Sequence, residues 1–212
     1  MSLTLKILII TIVFLLVSYA LFSEVYFKRK PERIIPTGDV IVSPANGVVK
    51  EIVDFSDPEV TIEKGYLGRI KTLVSDVSDK GKIVLIVMNP LNVHVQRAPY
   101  DGEVLSHKHT AGKFLNAVSE ESFRNAMIEN EHNEILFKTK SGNKFKVIQI
   151  AGALARRIND YTEVGKAFKK GEEIGSIDLG SQVALVLPEN VLIKVKKGEK
   201  VIDGESIIGQ NL

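Results

Sequence analysis

A Gly-Ser pair near the C-terminal end has the most specific chemistry that this sequence offers. Ser181 follows Gly180, and residues 183–187 after it are all apolar, so the serine is expected to open a buried strand. Glycine leaves its carbonyl unshielded and permits unusual torsions, so the Ser181 hydroxyl could attack the carbonyl before it. Ester formation and elimination would end one chain at Gly180 and leave a pyruvoyl group, an electron sink, at position 181. An ordinary turn before a strand would contain the same pair.

The candidate for proton transfer is His94, which follows the apolar run at residues 82–88. In an extended segment alternate residues share a face, so Asn92, His94 and Gln96 would point one way and Arg97 the other. An imidazole among polar neighbours can act as a general acid or base near neutral pH. A solvated surface histidine fits this pattern equally well.

Two further groups of residues have an alternative interpretation. His107 and His109 could share a face and hold a metal, but no third ligand stands at a recognisable spacing, so we predict a polar strand face. Arg156 and Arg157 follow small residues and could meet an anion such as phosphate. A solvated face is the alternative for this arginine pair.

The first element along the chain is predicted to be an N-terminal membrane anchor. Residues 7–23 carry no charge, close to the roughly 17–25 residues that a spanning helix needs, and Lys6 can reach outward to extend the span. Most nearby basic residues follow the run, at 28–30 and Arg33, which predicts a cytoplasmic C-terminal domain. A cleaved signal peptide is the alternative, since residues 18–20 loosely resemble a cleavage site.

The pattern is β-rich from residue 40 onward, after a proline-containing linker at 31–39. Asn46-Gly47 is a strong turn signal between the first two predicted strands. Ser119 followed by two glutamates predicts a short helix to about Ile128. The predicted strands cover residues 40–42, 48–53 and 82–88, with a hairpin formed by 135–140 and 145–150.

An internal repeat organises the last third of the chain. The sequence Lys-Lys-Gly-Glu-Glu-Ile at 169–174 recurs as Lys-Lys-Gly-Glu-Lys-Val at 196–201, and each copy is expected to form a turn between short strands. The run at 179–187 lies between the two copies. This predicts a β-sandwich or flattened barrel with Ser181 in its covered core.

Composition excludes several classes of function. The chain has 212 residues, enough for one domain and an appendage, with 44% hydrophobic residues and a net charge of +2. It has no basic run with interleaved aromatic residues, so nucleic-acid binding is not expected. The absence of cysteine excludes disulfides and thiolate metal sites, and with four histidines the chemistry must use few groups.

Four motifs together resemble the short, pyruvoyl-dependent phosphatidylserine decarboxylases, including archaetidylserine decarboxylases. The resemblance covers roughly residues 35 to 212. The motifs are Ser-Pro-Ala-Asn-Gly at 43–47, Asn-Val-His-Val-Gln-Arg-Ala-Pro at 92–99, Glu-Asn-Glu-His-Asn at 129–133 with Gln-Ile-Ala-Gly-x-x-Ala-Arg-Arg-Ile at 149–158, and Leu-Gly-Ser-Gln-Val at 179–183.

The resemblance implies a proenzyme that cuts itself between Gly180 and Ser181 into chains 1–180 and 181–212. A pyruvoyl group formed from Ser181 would be the cofactor, with no metal and no pyridoxal phosphate. The amine of a phosphoserine-headgroup lipid, phosphatidylserine or archaetidylserine, would form a Schiff base with it and lose carbon dioxide. His94 would be the proton donor. We lean to the archaeal ether lipid because the compact, single-anchor form resembles that branch.

Two positions depart from the best-known branch of the family. Asn46 stands where that branch has an aspartate, and Arg97 stands at the position of a second histidine. Asparagine can orient a neighbour but cannot supply the negative charge that stabilises an imidazolium. Supporting or substrate-binding roles are expected for Asn46, Arg97, Phe114, Asn116, Arg156 and Arg157.

The whole chain is thus expected to be mainly β (α+β), with one N-terminal transmembrane helix and hairpins like those of biotinyl and lipoyl domains. We divide it into an anchor at 1–30, a linker at 31–39 and a decarboxylase domain at 40–212. Its expected partners are the bilayer, the lipid substrate and its own cleaved C-terminal chain, and a second copy of the chain is a further candidate. The alternatives are a non-catalytic, membrane-tethered adaptor of the lipoyl type and a family member that binds lipid but is never processed.

Overall fold

The structure is a computed structural model that describes residues 2–64, 68–112, 128–152, 157–178 and 181–212. One α-helix, α1, spans Leu3–Leu21 and continues as a π-helical segment over Phe22–Phe27. The strands are β1 (Val40–Val42), β2 (Gly47–Phe55), β3 (Glu59–Lys64), β4 (Gly68–Leu73), β5 (Gly81–Val87), β6 (Val95–Arg97), β7 (Gly102–Thr110), β8 (Ile128–Glu129), β9 (His132–Lys138), β10 (Lys144–Ile150), β11 (Ile158–Asp160), β12 (Ala167–Phe168), β13 (Glu173–Ile177), β14 (Gln182–Pro188), β15 (Leu192–Ile193), β16 (Lys200–Val201) and β17 (Ile207–Gln210).

An eight-stranded antiparallel sheet forms the centre of the β domain and curls into a half-barrel. Its order is β12-β7-β9-β10-β14-β5-β2-β16, so β14 lies in the interior of the sheet between β10 and β5. Every residue of β14 is buried. Because both faces of this strand are covered, its sequence is a continuous apolar run without polar alternation. The mainly β fold with one N-terminal apolar helix is as predicted.

Each face of the large sheet packs against its own cover. On one face, Val183 and Leu185 join a core that includes Ile41 and Ile174, contributed by two three-stranded sheets, β1-β17-β15 and β11-β13-β6. On the other face, Ala184 and Val186 belong to a second core that includes residues of the β3-β4 hairpin. The large sheet is therefore the middle layer of the domain.

The N-terminal helical segment has no packing partner for most of its length. Leu3–Phe27 contains 25 residues and includes an 18-residue window with a mean hydropathy of 2.6, and α1 has no buried residue. At 1.5 Å per residue, a segment of this length exceeds the roughly 30 Å hydrocarbon thickness of a bilayer. It is long and apolar enough to cross a membrane, as the uncharged run predicted.

Residues 31–39, predicted as a linker, contain no helix or strand but lie against the β domain. The Arg33 guanidinium forms an ion pair of 2.6 Å with Asp203, which is fully buried. The backbone N–H of Ile34 donates to the Glu205 carboxylate at 3.2 Å. This segment is therefore packed in place rather than extended away from the domain.

The two copies of the internal repeat form the same turn. Gly171 and Gly198 have φ angles of 85° and 86°, in the left-handed region that favours glycine. In each copy the carboxylate of the following glutamate accepts a hydrogen bond from the backbone N–H of the first lysine, at 2.6 Å and 3.1 Å. The predicted equivalence of the two turns is confirmed.

Two local predictions had a different outcome. The Asn46-Gly47 segment does not close a hairpin, because β1 pairs with β17 whereas β2 pairs with β5 and β16. The chain passes there from one sheet to another. The helix predicted after Ser119 lies outside the described residues except at Ile128, which begins β8.

Candidate active site

Ser181 lies directly before β14, at the entrance of the most buried strand of the domain. Its side chain is 1% exposed, and its carbonyl accepts a hydrogen bond of 3.0 Å from the backbone N–H of Met88. The Ser181 hydroxyl has no hydrogen-bond partner among the residues that the structure describes. A buried hydroxyl without a partner has lost its hydration without compensation, which is unusual outside a functional site. Gly180 lies outside the described residues.

His94 lies directly before β6 and is 2% exposed. Its Nδ1 atom is 3.0 Å from the carbonyl oxygen of Asn92. Because a carbonyl oxygen only accepts hydrogen bonds, Nδ1 carries the proton and Nε2 carries the lone pair. The Nε2 atom is buried and has no partner within the described part of the chain.

Burial lowers the pKa of His94 from its ordinary value, because the charged imidazolium would lose its hydration. The hydrogen bond to Asn92 and the charge of Asp178 act in the opposite direction, while the charge of Arg29 lowers the pKa further. The imidazole is therefore neutral near pH 7. In this state it can take up a proton at Nε2 but cannot yet give one.

Strand pairing brings His94 to the segment that contains the Gly-Ser pair. Strand β6 pairs with β13, and the His94 carbonyl accepts a hydrogen bond of 3.1 Å from the N–H of Ile177, the last residue of β13. The chain then continues through Asp178 toward Ser181. The histidine thus lies beside the end of the strand that leads to the serine, although the two are far apart in sequence.

A cavity of about 150 Å³ lies against His94. Its lining includes Asn159, Tyr161 and Ser176, which hydrogen-bond to one another through the Ser176 hydroxyl at 3.0 Å and 3.2 Å. Asp178 also lines it. The cavity therefore combines apolar walls with a few amide, hydroxyl and carboxylate groups beside a neutral imidazole, and these polar groups can orient a small polar ligand.

A chain of buried amides holds the backbone of His94. The Asn133 amide donates to Gln149 at 3.0 Å, Gln149 donates to Gln96 at 2.9 Å, and Gln96 donates to the carbonyl of His94 at 2.9 Å. All three amide side chains are at most 1% exposed. They come from two of the four sequence motifs, so one buried network explains polar positions that the sequence analysis left without a shared role.

Asn46 reaches His94 through one intermediate residue. Its Oδ1 atom accepts a hydrogen bond of 2.8 Å from the amide of Asn92, whose carbonyl in turn faces Nδ1 of His94. Asn46 therefore fixes the residue that sets the tautomer of the histidine. An uncharged side chain suffices for this positioning.

The Arg97 guanidinium is occupied by contacts within the fold. It forms hydrogen bonds of 3.0 Å to Asp203, 2.9 Å to the carbonyl of Gly171 and 3.2 Å to the carbonyl of Pro31. Together with Arg33 it neutralises the buried Asp203 carboxylate. Arg97 thus ties the repeated turn and the N-terminal segment to the β domain.

The remaining predicted site residues are only partly described. The Arg157 side chain is exposed, and its carbonyl accepts a hydrogen bond of 3.0 Å from the N–H of Asp178. The exposed histidines of β7, His107 and His109, lie 3.2 Å from Asp160 and 3.7 Å from Glu131 respectively. Phe114, Asn116 and Arg156 lie outside the described residues. Within the described ranges no group of three or more acidic, histidine or cysteine side chains could hold a metal ion.

A second buried polar cluster, which the sequence analysis missed, lies on the other face of the large sheet. The Lys146 ammonium contacts the carboxylates of Asp76 and Glu134 and donates to the carbonyl of Leu73 at 2.6 Å. Lys146 is 2% exposed and Glu134 is 7% exposed. The only sequence signal was the placement of charged residues inside strands that are otherwise apolar.

Fold and site together define a class: a β protein with one apolar N-terminal helix long enough to cross a membrane, a buried serine at the entrance of its central strand and a buried, neutral histidine directly before β6. The sequence profile of phosphatidylserine decarboxylase matches residues 22–209 of this chain. Two similar proteins are phosphatidylserine decarboxylase proenzymes. The one from Rickettsia akari (strain Hartford) is 38% identical over 185 residues, which cover 87% of this chain and 73% of the relative. The one from Geotalea uraniireducens (strain Rf4) is 36% identical over 186 residues, which cover 87% and 78%.

The chain belongs to the phosphatidylserine decarboxylase family. Its members are carboxy-lyases, so this protein is an enzyme of that class. The family resemblance seen in the four sequence motifs is confirmed.

Proposed function

We propose that the chain is a proenzyme that cleaves itself between Gly180 and Ser181 and then decarboxylates a serine-headgroup phospholipid. The observation that supports this most directly is a pair of buried polar atoms, Ser181 Oγ and His94 Nε2, that have no hydrogen-bond partner among the described residues. Buried polar atoms in native proteins are nearly always paired. Two such atoms on a nucleophile and a base fit a site prepared for covalent chemistry.

In the proposed cleavage, the Ser181 oxygen attacks the carbonyl carbon of Gly180. The C–N bond breaks, the nitrogen of Ser181 takes up the hydroxyl proton, and an ester replaces the amide. A base then removes the α-proton of Ser181, and the C–O bond of the ester breaks to release the Gly180 carboxylate. Hydrolysis of the remaining unsaturated residue gives ammonia and the pyruvoyl group. The neutral His94, with its lone pair on Nε2, is the base that we assign to the proton-removal step.

The buried position of Ser181 is compatible with a pyruvoyl group, because the group keeps the carbon skeleton of the serine from which it would form. Its ketone would supply the electron sink for loss of carbon dioxide. His94 would bind the proton that the substrate ammonium must lose before its nitrogen can react. The same imidazole would then return a proton to the carbon that has lost carbon dioxide. In this scheme His94 is the proton donor only after it has served as an acceptor.

The substrate that we propose is a lipid with a phosphoserine headgroup in the membrane that holds α1. The basic residues that follow the helix at 28–30 support an orientation with the β domain on the cytoplasmic side. Either ester-linked or ether-linked tails would present this headgroup. We retain archaetidylserine as the first substrate to test, alongside phosphatidylserine.

The intact mass of the full-length protein under denaturing conditions tests the first step, with Ser181→Ala as the matched variant. We expect two chains that separate after Gly180, the smaller one blocked by a pyruvoyl group, and one uncut chain in the variant. A single uncut chain in both samples would contradict the proposal. It would favour a second candidate, a lipid-binding member that is never processed, which the replacement of the family's aspartate by Asn46 also favours.

A further inference from the structure

The membrane helix ends against the candidate site. Phe27, the last residue of the π-helical segment, is 7% exposed, and its ring centroid lies 4.1 Å from that of His94. Arg29 stacks over the Tyr26 ring at 4.0 Å and donates a hydrogen bond of 2.6 Å to the carbonyl of Leu91, in the loop before His94. The end of the anchor and the loop that contains the histidine are therefore packed together.

The same segment brings two lysines to the cavity. Lys28 and Lys30 both line it, and the Lys28 ammonium forms an ion pair of 2.7 Å with Glu24, one helical turn earlier. The Lys30 ammonium lies 2.6 Å from the Glu173 carboxylate and 5.1 Å from the centroid of the Tyr161 ring, and the side chain is 49% exposed. The two lysines lie in the segment that directly follows the apolar helix. The carboxylate that lines the cavity, Asp178, lies instead just after the end of β13, on the way to Ser181.

This distribution of charge matches a phosphoserine headgroup in its membrane orientation. The phosphate is the headgroup anion nearest to the lipid tails, and the ammonium lies farther out. Lys28 follows the spanning helix directly, so its side chain lies at the depth of the lipid phosphates. A headgroup with its phosphate at Lys28 and Lys30 would direct its ammonium toward Asp178 and His94.

Resting on the function proposed above, we propose that Lys28 and Lys30 form the binding site for the lipid phosphate. The segment that leaves the membrane is then one wall of the active site. Phe27 completes this wall by covering one face of the His94 ring. The anchor thus contributes side chains that bind substrate in addition to holding the domain at the bilayer.

The test uses the full-length protein in phosphatidylcholine nanodiscs and dihexanoyl phosphatidylserine below its critical micelle concentration. For the double variant Lys28→Gln/Lys30→Gln, we expect KM to rise roughly tenfold, with kcat nearly unchanged, since two charge-assisted contacts to the phosphate are lost. The matched control is Lys196→Gln/Lys197→Gln, which removes the same charge from an exposed turn. We expect this control to behave like the unaltered enzyme.

Glu173→Gln separates substrate binding from a structural role of the Lys30 ion pair. It removes the partner carboxylate but leaves the lysine, so KM should stay the same or fall. If the ion pair only stabilises the fold, Glu173→Gln should have the same effect as Lys30→Gln. That result would contradict the proposal.

Product inhibition identifies which anion the lysines bind. Dihexanoyl phosphatidylethanolamine keeps the phosphate but has lost the carboxylate, so its inhibition constant should rise as much as KM in the double variant. If the inhibition constant were unchanged in the double variant, the lysines would bind the substrate carboxylate, and the proposed phosphate site would be wrong. An unchanged KM would also overturn it. If the unaltered protein is neither cleaved nor active, the proposed function itself fails, and intact mass shows this before any variant is compared.

Discussion

Burial fixes the protonation state in which His94 begins the proposed cleavage. Because burial lowers its pKa, the imidazole loses its Nε2 lone pair only at a pH below the ordinary histidine value of about 6.5. We expect the rate of self-cleavage to fall as the pH is lowered, with a midpoint below that value. The measurement is the cleaved fraction of newly synthesised protein over time, after transfer from a cell-free reaction into buffers between about pH 5 and 8.

Two variants test whether protonation of His94 causes this fall in the cleavage rate at low pH. Phe27→Ala removes the ring that covers the imidazole, so the midpoint should rise toward the ordinary value. Arg29 and Asp178, the charges that act on His94, remain in place. His109→Gln alters an exposed histidine of β7 and should leave the midpoint unchanged. If His109→Gln shifted the midpoint and Phe27→Ala did not, the titrating group would not be His94.

Residue types and their spacing led to the prediction that Ser181 and His94 are site residues. They were not sufficient to find the amide chain through Gln149 and Gln96. A glutamine inside an apolar strand has the same local pattern whether its amide meets a partner or points to solvent. Only the pairing of distant strands shows that these amides are buried together.

At the level of elements, the repeated turn provides a matched pair of glycines. A Cβ atom at Gly171 would lie 2.3 Å from the Cδ1 atom of Ile35, whereas at Gly198 it would have no neighbour within 4 Å. We expect Gly198→Ala to cost about 1 kcal/mol of unfolding free energy, for its positive φ. Gly171→Ala should cost roughly 1 kcal/mol more, since Ile35 must move.

Denaturant titrations of the detergent-solubilised protein measure this difference. The further variant Ile35→Ala removes the clashing atoms, so in its presence the two glycine substitutions should cost the same. If Gly171→Ala and Gly198→Ala cost the same unfolding free energy while Ile35 is still present, the Ile35 side chain moves aside at little cost. The close packing of the N-terminal segment against the repeated turn would then contribute little to stability.

The buried ammonium of Lys146 neutralises two carboxylates between the large sheet and its β3-β4 cover. Lys146→Met would leave the buried Glu134 and the partly buried Asp76 without their cation, so we expect a loss of roughly 3–5 kcal/mol. The control is Lys144→Met in the same strand, which should change stability by less than about 0.5 kcal/mol. Both are measured by the same denaturant titration. Equal effects of the two variants would contradict this role of Lys146.

The sequence predicted local elements better than their partners. The β9-β10 hairpin and the repeated turns depend on glycine and on neighbouring residues, and both are present. The segment at 43–47 has an equally strong turn signal, yet its flanking strands join different sheets. Which sheet a strand joins depends on residues far along the chain, and turn chemistry contains no information about them.

For the molecule as a whole, the proposed cleavage should not separate the two chains. Residues 181–212 supply β14, which lies between β10 and β5, and they supply β16 and β17, which pair with β2 and β1. We expect the chains to elute together in size-exclusion chromatography in mild detergent and to separate only after denaturation. Loss of the smaller chain under native conditions would contradict this expectation.

The position of the anchor relative to the site could not be predicted from the sequence. The prolines and glycine at 31–38 have the composition of a linker, which predicts a spacer between membrane and domain. The structure instead packs this segment through Arg33, whose partner Asp203 lies near the other end of the chain. An ion pair between such distant positions leaves no local pattern.

This packing limits how far the enzyme can reach. A domain on a loose tether could rotate, lift from the surface and meet lipids of an adjacent vesicle. Here the helix ends at Phe27 and the chain is fastened at once by Arg29, Lys30 and Arg33, so with the helix in a bilayer, as proposed, the candidate site would stay at the leaflet beside its own helix. Conversion of headgroups would then proceed in one leaflet of one bilayer, and the lipid asymmetry that results would follow the orientation in which the protein was inserted.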